Sequence, residues 1–270
     1  MESAANPSKI TLTDAAMVIE AARDVLEPFE NDTAWWRGHA KAKWALQAHV
    51  HRRDEHQYDE ATLIGHFVSR APSRSYRPCP ANDDWLRWLF LAQHYGLPTR
   101  LLDWSESPLV ALYFAVQECP HDDGCVWGLW PSGLNEAFNG SYGLVRIGDP
   151  KVIKIAESAF TAIGSSDDVI AAIDGQEIDP RMLAQMSRFT LHSHRTPLEA
   201  LFGTHKWLRQ YTIPKDAKAK IRNQLTALGI RRSNLFPDLV NLAGELRDFR
   251  MTEAPDPSNQ SNSALVCGGE

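Results

Sequence analysis

Gln93-His94-Tyr95-Gly96-Leu97-Pro98-Thr99-Arg100-Leu101-Leu102-Asp103-Trp104-Ser105 is the stretch on which the fold turns. Ahead of it, Trp85, Trp88, Leu89 and Ala92 stand at i, i+3, i+4 and i+7, the spacing of one helical face. Gly96 and Pro98 end that helix. Behind it, Ser107-Pro108 is an N-cap followed by proline at the first helical position. Leu109 to Val116 is then apolar nearly all round, the pattern of a buried helix. The segment between is expected to be a short loop carrying His94, Thr99, Arg100, Asp103 and Trp104 among buried elements. Polar groups in such a place need partners. Two readings fit: a structural knot in which Arg100 and Asp103 pair, or the wall of a site.

Toward the N-terminus, residues 1–11 read as a loose tail. Met17, Val18, Ala21, Ala22, Val25 and Leu26 then form a helical stripe capped by Thr13 or Asp14. Thr33 to His39, aromatic and containing Gly38, is expected to be a strand, and Lys43 to His49 a second one. Asp59 to Ser69 predicts a helix with Leu63, Ile64 and Phe67 inward, and 70–80 a polar loop with three arginines.

Toward the C-terminus, Cys125 to Trp130 is a strand closed by Pro131, and 131–150 reads as loop. Val152, Ile153 and Ile155 suggest a strand, and Ser166 to Ile173 a short helix. Met182 to His192 ends in alternation. Thr196-Pro197 signals a helix over 198–202. Trp207 to Ile213 alternates cleanly as a strand. Asp216 to Leu228 predicts a helix ended by Gly229. Asn234 to Arg247 predicts a last helix with Leu239, Leu242, Ala243 and Leu246 inward. Residues 251–270 are polar and read as disordered. Helices and short strands do not alternate regularly, so the expected class is α+β, with short mixed or antiparallel strands packed with several helices in a single domain over 12–250.

With 43% hydrophobic and 23% charged residues, the 270-residue chain has the composition of a globular protein. A net charge of −6 argues against a nucleic-acid-binding face. No run of 18 apolar residues suggests a membrane span, and the N-terminus lacks the pattern of a signal peptide. Cys119 and Cys125 flank His121, which is not a zinc spacing, so no metal is expected and reduced thiols in a cytoplasmic setting are the simpler reading. No Gly-rich phosphate loop, G-x-S-x-G or H-E-x-x-H occurs.

Two of these segments resemble the FRG domain. Trp36-Arg37-Gly38 stands where that domain carries its aromatic-Arg-Gly motif. Gln93 through Trp104 to Leu112-Tyr113-Phe114-Ala115 resembles its best-preserved block. Gln185 to Phe189 and Leu235 to Leu239 also fit, so the resemblance spans about residues 30 to 247. One departure is Gln185-Met186-Ser187-Arg188-Phe189, where the family tends to have Gln-x-Gly before the Phe. A weaker resemblance is to ADP-ribosyltransferase-like folds, which often begin with an Arg-Gly that receives the NAD phosphates. Their late catalytic acid has no clear counterpart here: Gln185 is nearest, and Glu199 lies further on.

The resemblance implies an enzyme acting on NAD, or a related nucleotide, by ADP-ribosyl transfer or NAD hydrolysis. In it, Arg37, His94 and Gln185 are the candidate catalytic residues. Gly38, Tyr95, Thr99, Arg100, Asp103 and Trp104 are the candidate substrate-binding residues, with Gly38 admitting the ligand to the backbone and Asp103 orienting Arg100. NAD would be substrate, not a resident cofactor. The competing class is a non-catalytic binding or effector module in which the same cluster is architectural. Pocket geometry separates them, since a site requires Arg37, His94 and Arg100 to converge on open space.

Overall fold

The computed structural model describes residues 7–26, 32–52, 59–75, 78–161, 169–175, 179–193, 195–201 and 203–252. The chain begins with β1 (Pro7–Thr11), α1 (Val18–Leu26), β2 (Trp35–His39), α2 (Glu60–Arg70) and α3 (Trp85–His94). Then come β3 (Leu101–Ser105), α4 (Pro108–Val116), β4 (Gly124–Leu129), α5 (Pro131–Asn139), β5 (Val145–Arg146) and α6 (Pro150–Glu157). The rest is β6 (Ile170–Asp174), α7 (Pro180–Ala184), β7 (Ser187–His192), β8 (Leu208–Ile213), α8 (Lys218–Ala227), α9 (Arg232–Leu235) and α10 (Leu239–Thr252). The strands form an eight-stranded sheet in the order β1-β8-β4-β2-β3-β7-β6-β5. The outermost pairs, β1–β8 and β5–β6, are parallel and the inner pairs antiparallel. The α+β class stands.

One face of the sheet is covered in two halves. Trp36, Val126, Tyr211 and Ile213 pack with side chains of α1, α4 and α8. Leu101, Phe189, Leu191 and Ile173 pack with α2, α3 and α6. The opposite face holds Trp35, Leu102, Trp104, Trp127 and Leu129 beneath Leu46, Leu134, Leu198 and Trp207. The aromatic-rich first half of the chain is therefore largely core.

The central stretch corrects its own reading. Gln93 to Ser105 is not all loop, because Leu101–Ser105 is strand β3, near the middle of the sheet. Leu101 faces one core and Leu102 and Trp104 the other, so two-sided burial erases the alternation that marks a half-exposed strand. The helix before it ends in a Schellman motif: Gly96, with φ +85°, donates to Gln93 O, and Leu97 N to Ala92 O. The helix after it begins as predicted, with Ser107 capping Val110 N at 3.4 Å.

Other segments differ for local reasons. Pro7–Thr11 is not a loose tail but a strand, paired with β8. Lys43 to His49 forms no strand. There the backbone is satisfied from a distance, with Leu46 N donating to the Glu199 carboxylate at 3.1 Å and Leu198 N to Leu46 O. Val152 to Ile155 lies in α6, whose Asp149 cap and Pro150 repeat the Ser107-Pro108 signal. Pro131–Asn139, read as loop, is α5, started by its proline and ended by Gly140 in the left-handed region. Ile170–Ile173 is strand, not helix, and residues 166–168 lie outside the described residues. The helix expected over 198–202 is a short 3-10 turn at Leu198–Ala200, with Phe202 outside the described residues.

The last helix is interrupted before Leu239. Leu235 is buried and Phe236 meets Phe114 edge-on at 6.1 Å. Leu239, Leu242 and Leu246, expected inward, are exposed, Leu239 by 81%, and Ala243 is exposed as well. The predicted tail begins inside α10, and 253–270 lie outside the described residues. Among the described residues no helix is long and apolar enough to cross a membrane.

Candidate functional site

The sheet loosens at its centre. Strand β2 pairs with β4 along its whole length, from Trp35↔Leu129 to His39↔Cys125. Its pairing with β3 is registered at Trp36↔Ser105 and not continued toward Gly38 and Asp103. Where the ladder stops, Arg37 Nη1 donates to Asp103 O at 2.7 Å, so a side-chain donor replaces a backbone one. A cleft of about 300 Å³ opens here. Its walls are Trp36, Arg37, Gly38, Asp103 and Ser105 of the sheet, Ala111 and Phe114 of α4, Gln117 and Glu118 beyond it, Trp44, and Arg181, Gln185 and Ser187 from α7 and the start of β7.

A chain of bonds fixes Arg37. Thr99 Oγ1 donates to Gln93 Oε1, and Gln93 Nε2 to Asp103 Oδ1 at 2.6 Å. Asp103 Oδ2 stands 3.8 Å from Arg37 Nη1. On its other side Arg37 Nε donates to His39 Nε2 at 3.1 Å. Burial, with the neighbouring charges of Arg37 and Arg52, pushes the His39 pKa down to about 3, so the ring is neutral at physiological pH. Because Nε2 accepts, Nδ1 carries the proton and donates to Trp44 O at 3.2 Å. Burial lowers Arg37 to about 10, against the opposing pull of Asp103, which still leaves it a cation. With a side chain 19% exposed, Arg37 is held on two sides and open on a third.

His39 supplies a pH signature. Its folded pKa lies below the ordinary 6.5, so between those values the unfolded chain binds the extra proton. The associated stability is complete above pH 6.5 and is lost as pH falls toward 3. Wild type should lose roughly 2 kcal/mol from this group between pH 7 and 5. Urea melts should show the difference shrinking in His39→Gln, whose amide can both accept from Arg37 and donate to Trp44 O. An identical pH slope in the two proteins would contradict it.

The predicted site residues divide into groups. Arg37, Gly38, Asp103, Trp104 and Gln185 border the central cleft. His94 and Tyr95 line a separate cavity of about 880 Å³, with His94 Nδ1 3.0 Å from Asp179 Oδ2. Thr99 and Arg100 are buried and line neither.

Arg100 does not pair with Asp103. Its guanidinium grips Glu60, Nη2 to Oε2 at 2.7 Å, and also donates to Ile155 O and Ser158 Oγ. Asp103 is exposed, its side chain by 56%, contrary to the expectation that it would be buried. The expected convergence of Arg37, His94 and Arg100 does not occur.

Trp104 is buried and donates from Nε1 to Thr190 Oγ1 at 3.0 Å. Gln185 Nε2 donates to Leu235 O, tying α7 to α9. In the turn after it, Met186 takes a left-handed φ of 47°. Gly38 serves packing: a Cβ there would stand 1.9 Å from Ala111 O of α4.

Sequence reasoning missed Trp44 as a cleft wall, His39 as the orienting acceptor, and Arg181. The Asp179-Pro180 pair that starts α7 is the same cap-plus-proline signal seen at Ser107-Pro108, with Asp179 Oδ1 accepting from Arg181 N and Met182 N. It locates Arg181 on a helix but not its surroundings.

The family model of the FRG domain matches residues 32–124. The chain carries an FRG domain. Comparison with curated proteins and with solved structures found no match. The matched residues hold β2, β3 and α4, hence the Arg37 and Asp103 walls of the cleft. Arg181, Gln185 and Ser187 come from beyond the match, so the cleft lies between the FRG domain's matched residues and the chain that follows them.

Proposed function

We propose that the cleft where β2 and β3 part binds a nucleotide, and that the protein acts on NAD or a related nucleotide by ADP-ribosyl transfer or NAD hydrolysis. The observation that carries this is Arg37, a cation braced by His39 and the Asp103 carbonyl with its open side toward a cleft walled by Trp44 and Phe114. A planar guanidinium matches two phosphate oxygens, and an aromatic wall suits a flat base. In NAD cleavage the glycosidic bond breaks with its electron pair leaving on nicotinamide. The exposed Asp103 carboxylate, in the same cleft, would stabilise the positive charge that develops on the ribose. Water or an acceptor nucleophile would then take the ribosyl carbon and lose a proton. The alternative, binding without turnover, draws on the failed convergence: His94 lies in the other cavity, Arg100 is spent on Glu60, and Gln185 is bonded to Leu235.

Arg37→Lys should weaken nucleotide binding by roughly 1.5–3 kcal/mol, the worth of a charged hydrogen bond, and the protein should still fold, with a melting temperature lowered by the lost bond to His39 Nε2. Calorimetry with NAD, ADP-ribose and ATP reads the first effect and thermal melts the second. Nicotinamide released from NAD marks an enzyme; heat without nicotinamide marks a binder. No heat with any of the three nucleotides would refute the proposal.

A further inference from the structure

Arg181 lies in the wall shared by the 300 Å³ cleft and the 880 Å³ cavity. Its guanidinium stacks on Phe236, Cζ 4.7 Å from the ring centroid. Among the described residues no oxygen accepts a hydrogen bond from its side chain and no carboxylate forms an ion pair with it. The nearby acids are otherwise engaged. Asp179 spends Oδ1 on capping α7. Asp238 accepts from Asn241 N at 2.9 Å and Nδ2 at 2.6 Å, bonds that hold its carboxyl below the usual range with a smaller contribution from Arg181. A stacked guanidinium with all its donors unspent, set between two hollows, is built for an anion.

Resting on the nucleotide reading of the first cleft, we infer that the ligand is a two-lobed diphosphate: Arg37 takes one phosphate, Arg181 the second, and the half beyond it enters the larger cavity. The size and chemistry of that cavity support this. A 300 Å³ cleft stands at the lower limit of small-molecule sites, whereas the second hollow has room for a further sugar or ring. Tyr95, 68% exposed and edge-on to His94 at 5.0 Å, offers that half an aromatic face, and Arg74 and Arg87 line the same cavity. The two lobes are then joined at the residue that both hollows share.

The test is calorimetry with AMP, ADP and ADP-ribose against wild type, Arg181→Met and Arg37→Lys. Methionine keeps the apolar contact with Phe236 and removes the charge, and thermal melts check that it folds. Affinity should rise about tenfold or more from AMP to ADP-ribose in wild type. Arg181→Met should flatten that rise and leave AMP binding unchanged, while Arg37→Lys should weaken all three. Equal affinity for AMP and ADP-ribose in wild type, or an undiminished rise in Arg181→Met, overturns the two-lobed ligand. If Arg37→Lys still weakens AMP in that case, the cleft reading survives alone. If none of the three binds wild type, both fall.

Discussion

Arg100→Met is expected to destabilise the protein by roughly 3–5 kcal/mol, because it strips the partner from a buried carboxylate. Glu60 and Arg100 are both buried. Besides the ion pair, Arg100 N donates to Glu60 Oε1 at 3.0 Å, and Arg100 Nη1 reaches Ile155 O at 2.8 Å. The pair thus joins the start of α2 to the start of β3 and the end of α6. Burial raises the Glu60 carboxyl above its usual range despite Arg100, a sign that desolvation is heavy at this position. The double change Glu60→Leu/Arg100→Met should cost less than the sum of the two single ones, since it leaves no lone charge inside. Urea unfolding of the four proteins measures this. A single variant as stable as wild type would show that the buried charge finds another partner.

Gly38→Ala should be almost as damaging. The added Cβ would meet Ala111 O at 1.9 Å and Ala115 N at 2.7 Å, both backbone atoms of α4. No side chain can swing aside, so α4 must lift from β2, at roughly 3 kcal/mol or more. Gly65, in α2, is the control: a Cβ there meets nothing within 4 Å, so alanine should be neutral or stabilising by up to about 1 kcal/mol. Thermal melts compare the two, and a Gly38→Ala protein that melts with wild type would refute the packing role. The glycine of the aromatic-Arg-Gly motif thereby has a reason unrelated to any ligand, while the arginine between keeps its open side.

What was legible followed from local chemistry. Helix α4 was readable because Ser107, Pro108 and an all-apolar run act within one turn of each other. Strand β8 was readable because buried Tyr211 and Ile213 alternate with the polar, partly exposed Gln210 and Thr212. Strand β3 was not, since both its faces are buried and Asp103 interrupts its apolar run. The proline starts of α5 and α6 carried the signal of α4, but the glycines and prolines over 131–150 pulled α5 toward loop, and Val152, Ile153 and Ile155 pulled α6 toward strand. Lys43 to His49 has a strand's composition, and only Glu199, far along the chain, shows why its backbone needs no ladder.

The same divide runs through the site. Arg37 could be picked out from a motif. The partner of Arg100 stands forty positions earlier in the chain, and that Arg181 stacks on Phe236 with no hydrogen-bond acceptor among the described residues is a property of its neighbours that no spacing records.

The sheet order has a consequence for how this chain becomes a folded object. Within residues 32–124 lie β2, β3 and the first residue of β4, but the far neighbours of β3 and β4 are β7 and β8. The matched segment taken alone would carry unsealed hydrogen-bonding edges on both sides and half of a two-sided core. Strand β1 waits longer still, since Pro7 meets Gln210 and Thr11 meets Thr212. During synthesis the first strand therefore emerges some two hundred residues before the strand it must lie against. Closure of the sheet is a late, long-loop event of the kind that slows folding. The family segment is in this sense the inner panel of a larger sheet: it becomes a stable surface for the Arg37 cleft only after the ribosome has delivered the strands that flank it.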